Sequence, residues 1–427
     1  MSNAFSKEER VAFEDILEGF QDLLVLSRHV SVYNTDQTMM ERANNTIWRP
    51  MPYIAQSIAT TPGTTIAGSY QNMTQLSVPS TLGFSQTVPW QMTTLDLRDA
   101  LQEGRLGQSA KQKLASDINV AIMNTAAAQG TLVVPVSTAA GDYDDVALCD
   151  ALMNEQGVPD YDRFLGLSSR DYNGLAGNLS QASRSFGNQK SDKAYERNFV
   201  GMVAGFDTYK FDYANRIAAA GGGATTIATN GSQVDYVPQA TSTSVGGQIN
   251  VDNRYQTVTV SNSVGVVAGD AFTIDGVQAV HHITKQSTGQ LKTFRVISVP
   301  AGGTTLVISP PIIGATGVTP TDAELQYKNV EVVSESATAT INWLNIAASS
   351  INVFWQRDSL EILPGRYAVP TDAGTAVMRA TTDQGIELVM QKFYDIDSMT
   401  IKYRLDTLFG VVNKQPEMSG ILLFNQA

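Results

Sequence analysis

Apolar residues at Leu114, Ile118, Ala121, Ile122 and Ala126 recur at the three- and four-residue spacing of one helix face. Lys113, Asp117 and Asn124 fall on the other faces. The spacing predicts a long helix within residues 95–130, the element around which the rest of the chain is organised. Residues 109–129 alone would span about 30 Å at the rise of an α-helix. Gly130 stands where a C-terminal cap is expected. Gly104 and Gly107 weaken the first part of the helix, and a break or kink is expected there.

The same period appears over residues 6–26, where Phe13, Leu17, Phe20 and Leu24 mark an apolar face. Ser6 and Glu9 have the spacing of a capping box. Glu14, Glu18 and Asp22 lie four apart with Asp15 beside them, forming an acidic stripe that pattern alone reads as a solvated face. Residues 44–94 change character: they are rich in Thr, Ser, Gln, Pro and Gly and nearly free of charge. Short strands around an extended loop are expected, and so long a loop is more often functional than idle.

Beyond the long helix, residues 131–136 read as a buried strand and residues 143–156 and 168–181 as two helices, with turns at Gly201 and Gly205. The low-complexity run at residues 218–230 is the clearest domain boundary. From about 224 to 340, β-forming clusters alternate with Gly-rich turns. Strands are expected at residues 255–260, 271–274 (ending in a turn at Asp275 and Gly276), 292–299 and 304–308. This predicts a small antiparallel barrel or sandwich. Helix is expected to return at residues 336–349, which makes the β-rich part an insertion that folds on its own. Residues 385–412 predict two paired strands across a turn near residues 395–398.

Composition narrows the function. The 427 residues carry a formal net charge of -12, which opposes tight nucleic-acid binding but lets phosphates slide past an acidic surface. At this length two or three domains are expected. The one cysteine, Cys149, permits neither an intrachain disulfide nor a Cys-based metal site. With Asp144, Asp145 and Asp150 near it, a buried structural thiol is expected. His281 and His282 are adjacent on a predicted strand, so their side chains diverge, and surface or barrel-edge positions are expected.

There is no phosphate-binding loop, no H-E-x-x-H and no G-x-S-x-G. Gly221, Gly222 and Gly223 do not follow a strand and open a helix as a dinucleotide site requires. No catalytic residue, metal or cofactor is expected. Acidic residues interrupt the first apolar run and no apolar stretch approaches 18 residues, so a soluble cytoplasmic product is expected.

Separated motifs carry a resemblance. NNTIWRP (44–50), LDLRDAL (95–101), VAGFDTYK (203–210), VDNRYQTVTV (251–260), AGDAFTIDGV (268–277), INVFW (351–355) and KQPEMSGILL (414–423) come in order and at about the right spacing. Together they resemble the major coat proteins of short-tailed lambdoid phages of the Salmonella-phage type. The resemblance implies an α+β Hong Kong 97-like capsid fold with an inserted antiparallel β-barrel. Its parts would be an N-terminal arm (1–34), the start of the peripheral domain with the extended loop (35–94), a spine helix (95–130), an axial domain (131–223), the insertion (224–340) and a return to axial and peripheral domains (341–427).

The resemblance further implies pentamers and hexamers of an icosahedral shell, built in the host bacterial cytoplasm. The implied partners are a scaffolding protein, a portal protein and double-stranded DNA enclosed without specific binding, with no membrane. The family's acidic residues that bind a basic helical segment of the scaffolding protein match Glu14, Asp15 and Glu18. Gly104 and Gly107 are the candidate hinge for shell expansion. One departure stands out: residues 241–250, which match an acidic inter-capsomer loop of the family, contain no carboxylate, and only Asp252 follows. Two other readings remain at this point, a β-rich tail or adhesin protein and a hydrolase using Asp or His.

Overall fold

The structure is a computed structural model. It describes residues 5, 7–33, 45–51, 57, 60–67, 70, 72–93, 95, 100–182, 189–211, 213, 215–228, 235–316, 319–334, 336, 338–369 and 376–427. Its contacts divide the chain into two units. The first comprises residues 1–47, 80–125 and 360–412; the second comprises residues 48–79, 126–359 and 413–427.

In the first unit, helix α1 (Lys7–Leu23) confirms the amphipathic pattern. Its buried face is Phe13, Ile16, Phe20 and Leu24, so Ile16 takes the place expected of the half-buried Leu17. Ser6, the expected N-cap, lies outside the described residues. Helix α2 (Ala100–Gln129) is the long helix, and it runs through both Gly104 and Gly107 without a break. The expected interruption is absent, because about 1 kcal/mol per glycine does not outweigh a 30-residue helix with a buried face.

The 14-residue strand Thr400–Asn413 organises the first unit's sheet. It pairs with Phe84–Thr93 on one edge and with Glu387–Asp395 on the other, the latter a hairpin turning at residues 396–399 as the alternation predicted. Ala376–Thr381 extends the sheet on Glu387–Asp395.

In the second unit, a six-stranded sheet runs in the order Leu132–Pro135, Ser419–Leu423, Asn352–Gln356, Arg163–Ser168, Phe206–Phe211, Met202–Val203. Helices α3 (Tyr143–Gln156) and α4 (Ser169–Ala182) fall where expected. They bury Val146, Cys149, Met153, Tyr172 and Leu175 with Leu165, Phe206 and Phe354 of the sheet. The Cys149 thiol is fully buried, and burial pushes its ionisation upward, so it is an inert core group. Asp142 and Asp145 close a capping box at the start of α3. The strand Arg163–Ser168 and a fifth helix, α5 (Gln189–Arg197), were not expected. The strand is buried at every position and shows no alternation to read.

The same unit holds the barrel. Its strands follow the order Thr226–Ile227, Ala339–Trp343, Ala271–Val280, Ser287–Ser298, Thr305–Ser309, Gln256–Thr259. An antiparallel bridge from Ile227 to Val260 closes the ring. Phe272, Ile274, Phe294, Val296, Leu306, Ile308 and Ile341 fill it.

Two local expectations fail here. Asp275 and Gly276 do not end a strand. Gly276 takes φ 80° at an irregularity inside Ala271–Val280, and the strand continues past it. Residues 336–349 do not form a helix: Ala339–Trp343 alternates buried and exposed and supplies a barrel strand. The helix lies earlier, at α6 (Asp322–Tyr327), announced by the capping box of Thr321 and Glu324.

Candidate functional site

Two features of α1 decide what it can present. Glu9, on the buried face, accepts hydrogen bonds from the Lys392 ammonium and, at 2.9 Å, from the Tyr403 hydroxyl. Lys392 also sits over the ring of Tyr403 at 5.8 Å. At the other end, Asn119 of α2 donates to the carbonyl of Leu23 at 3.2 Å and accepts from the Leu26 amide at 3.4 Å. Arg28 donates to the Gln21 carbonyl at 2.9 Å, so terminal carbonyls of α1 find donors.

The helix is therefore fixed in rotation. Glu14, Asp15, Glu18 and Asp22 all face solvent, with no hydrogen bond or ion pair to another described residue. The structure thus brings Glu14, Asp15 and Glu18 together on one exposed face. Lys392→Met is expected to leave Glu9 buried with one donor fewer, and to cost about 1–3 kcal/mol of α1 docking. Limited proteolysis should then cut the arm faster while the rest of the chain stays intact.

Gly107 has a packing role. A Cβ there would lie 2.7 Å from Ile16 Cδ1, so the missing side chain lets α1 approach α2. The surroundings of Gly104 are outside what is described. Gly130 follows the last helical residue as expected, and its amide donates to the Ala126 carbonyl at 2.9 Å. It does not adopt the left-handed conformation of a glycine cap. A Cβ there would meet the Gly420 backbone at 3.1 Å, so close approach explains the residue.

Sequence reasoning missed a buried polar seam in the second unit. Helix α2 has no basic residue in its last turn. Arg295, a barrel residue only 1% exposed, supplies the cation from outside, donating to the Ala127 carbonyl at 2.9 Å and the Gly130 carbonyl at 3.3 Å. Burial lowers the Arg295 guanidinium to about 10, against the upward pull of Asp270.

Beside it, Lys292 donates to Glu417 Oε1 at 2.5 Å and to Gln156 Oε1 at 2.9 Å. His282, half-buried just past the end of the barrel strand Ala271–Val280, has its Nε2 atom buried 3.5 Å from Glu417 Oε2. Burial takes the imidazole down to about 4, although Glu417 pulls the other way. Burial would raise the Glu417 carboxyl, but Lys292, His282 and Lys285 overcome it and hold it at about 2. A lysine inside an alternating strand carries no sequence signal of burial, because its partner Glu417 lies 125 residues away.

The acid-free segment forms an exposed hairpin, Thr241–Ser244 on Gly247–Asn250, with Val245 wholly exposed at its tip. Asp252, the first carboxylate after it, accepts from Arg254 Nη2 at 2.7 Å, and Arg254 reaches on to the Asn413 carbonyl at 2.9 Å. Asp252 is therefore engaged within its own chain. Among the described residues, no helix is long and apolar enough to cross a membrane.

The family profile described as P22 coat protein - gene protein 5 matches residues 1–425. The solved CUS-3 coat protein I-domain is 39% identical, covering 28% of this chain and 94% of its own length, with a TM-score of 0.21. A chain of Mycobacterium phage Che8 is 9% identical, with 94% and 91% coverage and a TM-score of 0.44. The capsid structure of the Cyanophage P-SCSP1u is 10% identical, with 93% and 86% coverage and a TM-score of 0.42. Matched along its length, and built as the mixed α/β architecture with an inserted barrel that its motifs implied, the chain belongs to the P22 coat protein family of phage major capsid proteins.

Proposed function

We propose that copies of this chain form the pentamers and hexamers of an icosahedral shell around double-stranded DNA, directed by a separate scaffolding protein. The exposed acidic face of Glu14, Asp15 and Glu18, on a helix fixed by Glu9 and Asn119, is the observation that carries this reading. It fits a basic helical segment of the scaffolding protein. Exposed ion pairs are each worth about 0–1 kcal/mol, so the contact is weak, multivalent and salt-sensitive. That suits a partner that leaves before the shell matures.

Ring-closing heterologous contacts build the capsomers. The nearly uncharged extended loop lies across a neighbour, where main-chain pairing and apolar burial act without desolvating charge. A portal protein occupies one vertex, and the acidic chain encloses DNA without gripping it. Assembly takes place in the host cytoplasm. Gly104 and Gly107 serve as the hinge during expansion, by bending an unbroken helix.

Electron microscopy of the chain expressed with and without its scaffolding protein tests this. Closed shells of uniform size are expected only with the partner. Uniform shells from the chain alone would remove scaffold direction from the reading.

A further inference from the structure

The insertion's helix α6 touches a segment far away in sequence, and the hydrogen bonds between their described residues follow one rule. The Asn72 amide donates to Asp322 Oδ2 at 2.8 Å. The Thr74 amide donates to Gln326 Oε1 at 3.2 Å, and Gln326 Nε2 donates to the Asn72 carbonyl at 2.6 Å. The Tyr327 hydroxyl donates to the Thr74 carbonyl at 3.0 Å and accepts from the Leu76 amide at 3.4 Å.

All the groups bound on the segment are main-chain groups, and they come from alternate residues 72, 74 and 76. That is the period with which an extended strand presents its backbone to one side. Helix α6 therefore acts as a neighbouring strand would, through three side chains. Gln326 is central: its amide offers one acceptor and one donor, as a peptide does, and it is only 2% exposed. The capping box of Thr321 and Glu324 holds the helix start.

The segment is the return leg of the extended loop. Its two legs meet at the base, where the Met51 amide donates to the Leu76 carbonyl at 2.8 Å and Gln75 Nε2 to the Met51 carbonyl at 2.7 Å. Strand Ser77–Thr81 begins directly after it. The held stretch therefore sets the register in which the chain leaves and re-enters the loop.

We propose that Asp322, Gln326 and Tyr327 form a main-chain clamp by which the insertion domain positions the extended loop of its own subunit. They are positioning residues. They recognise backbone rather than sequence, so the clamp tolerates side-chain changes at residues 72–76 but not loss of an amide. The consequence for shell building rests on the capsid function proposed above; the clamp itself does not.

The test is amide hydrogen exchange on the purified, unassembled full chain carrying Gln326→Met with Tyr327→Phe. Exchange at Thr74 and Leu76, whose amides lose their acceptors, should accelerate by about 10-fold or more. Met73 and Gln75 and the barrel amides should not change. No acceleration at Thr74 and Leu76 would overturn the clamp. Equal acceleration at all five residues and in the barrel would also overturn it, as general destabilisation. Thr74→Pro removes one bonded amide from the loop side and leaves α6 untouched. It should accelerate exchange at Asn72 and Leu76; unchanged protection there would count against the clamp. With scaffolding protein present, both variants should give open or misshapen particles. Normal shells despite accelerated exchange would leave the clamp standing and overturn its role in assembly.

Discussion

Glu14→Lys combined with Glu18→Lys is expected to leave the unassembled chain folded and to abolish scaffold-directed assembly. Both carboxylates are exposed and bond to no other described residue, so their replacement should move unfolding free energy by no more than about 0.5 kcal/mol. The helix itself should change little: a lysine at position 18 would face Asp15 and Asp22, while lysines at positions 14 and 18, four apart, would still repel each other as the two glutamates did.

The effect on a cationic partner is opposite in sign. Two attractive pairs become two repulsive ones, and across the many identical sites of a shell the small terms multiply. Salt should imitate the variant: the screening length falls from about 10 Å at 0.1 M to about 3 Å at 1 M. Sedimentation and electron microscopy of co-expressed chains read the outcome. If the double variant builds normal closed shells at the wild-type rate, the stripe is only a solvated surface.

The reach of the sequence was set by where each residue's partner lies. Periodicity found α1 and α2 because their apolar faces repeat within a few residues. It found the hairpin of Glu387–Asp395 with Thr400–Asn413 for the same reason. Arg163–Ser168 was missed because a strand buried on both faces has no period to detect. Residues 336–349 were misread because one barrel strand sits among irregular backbone. Helix α6 was missed although Thr321 and Glu324 announced it, because a six-residue helix has too few positions to show a period.

The acidic face was legible because α1 carries its whole pattern locally. What fixes that face was not, since Glu9 meets Lys392 and Tyr403 almost 400 residues later. Nor does the sequence disclose that a Cβ at Gly107 would meet Ile16 of another helix. Lys292 and Arg295 look in the sequence like ordinary surface charges, and only the barrel's placement buries them, with Glu417 half-buried beside Lys292.

Glu417→Gln is expected to cost about 3–5 kcal/mol of stability, because it leaves the Lys292 ammonium buried without its anion. Adding Lys292→Met to the same chain should recover part of that loss, since it removes the ammonium left buried without its anion. Denaturant unfolding of the two single variants and the double variant measures the coupling. A loss below 1 kcal/mol for Glu417→Gln would mean that water reaches Lys292.

The same seam makes stability fall in acid, in two phases. The folded His282 titrates near 4, below its ordinary 6.5. Between these values the unfolded chain binds a proton that the folded chain does not, so stability drops as pH falls from 6.5 to 4, by about 3 kcal/mol at most. Glu417 is held at about 2, below its ordinary 4.5, so its contribution is complete above 4.5 and disappears as pH falls through 2. His281, Lys285 and Lys292 face the same group and all oppose protonation of His282. His282→Gln should therefore remove the phase between pH 6.5 and 4 and leave the more acid one. A variant whose acid profile overlays the wild type across that window would show that His282 is solvated in the folded chain.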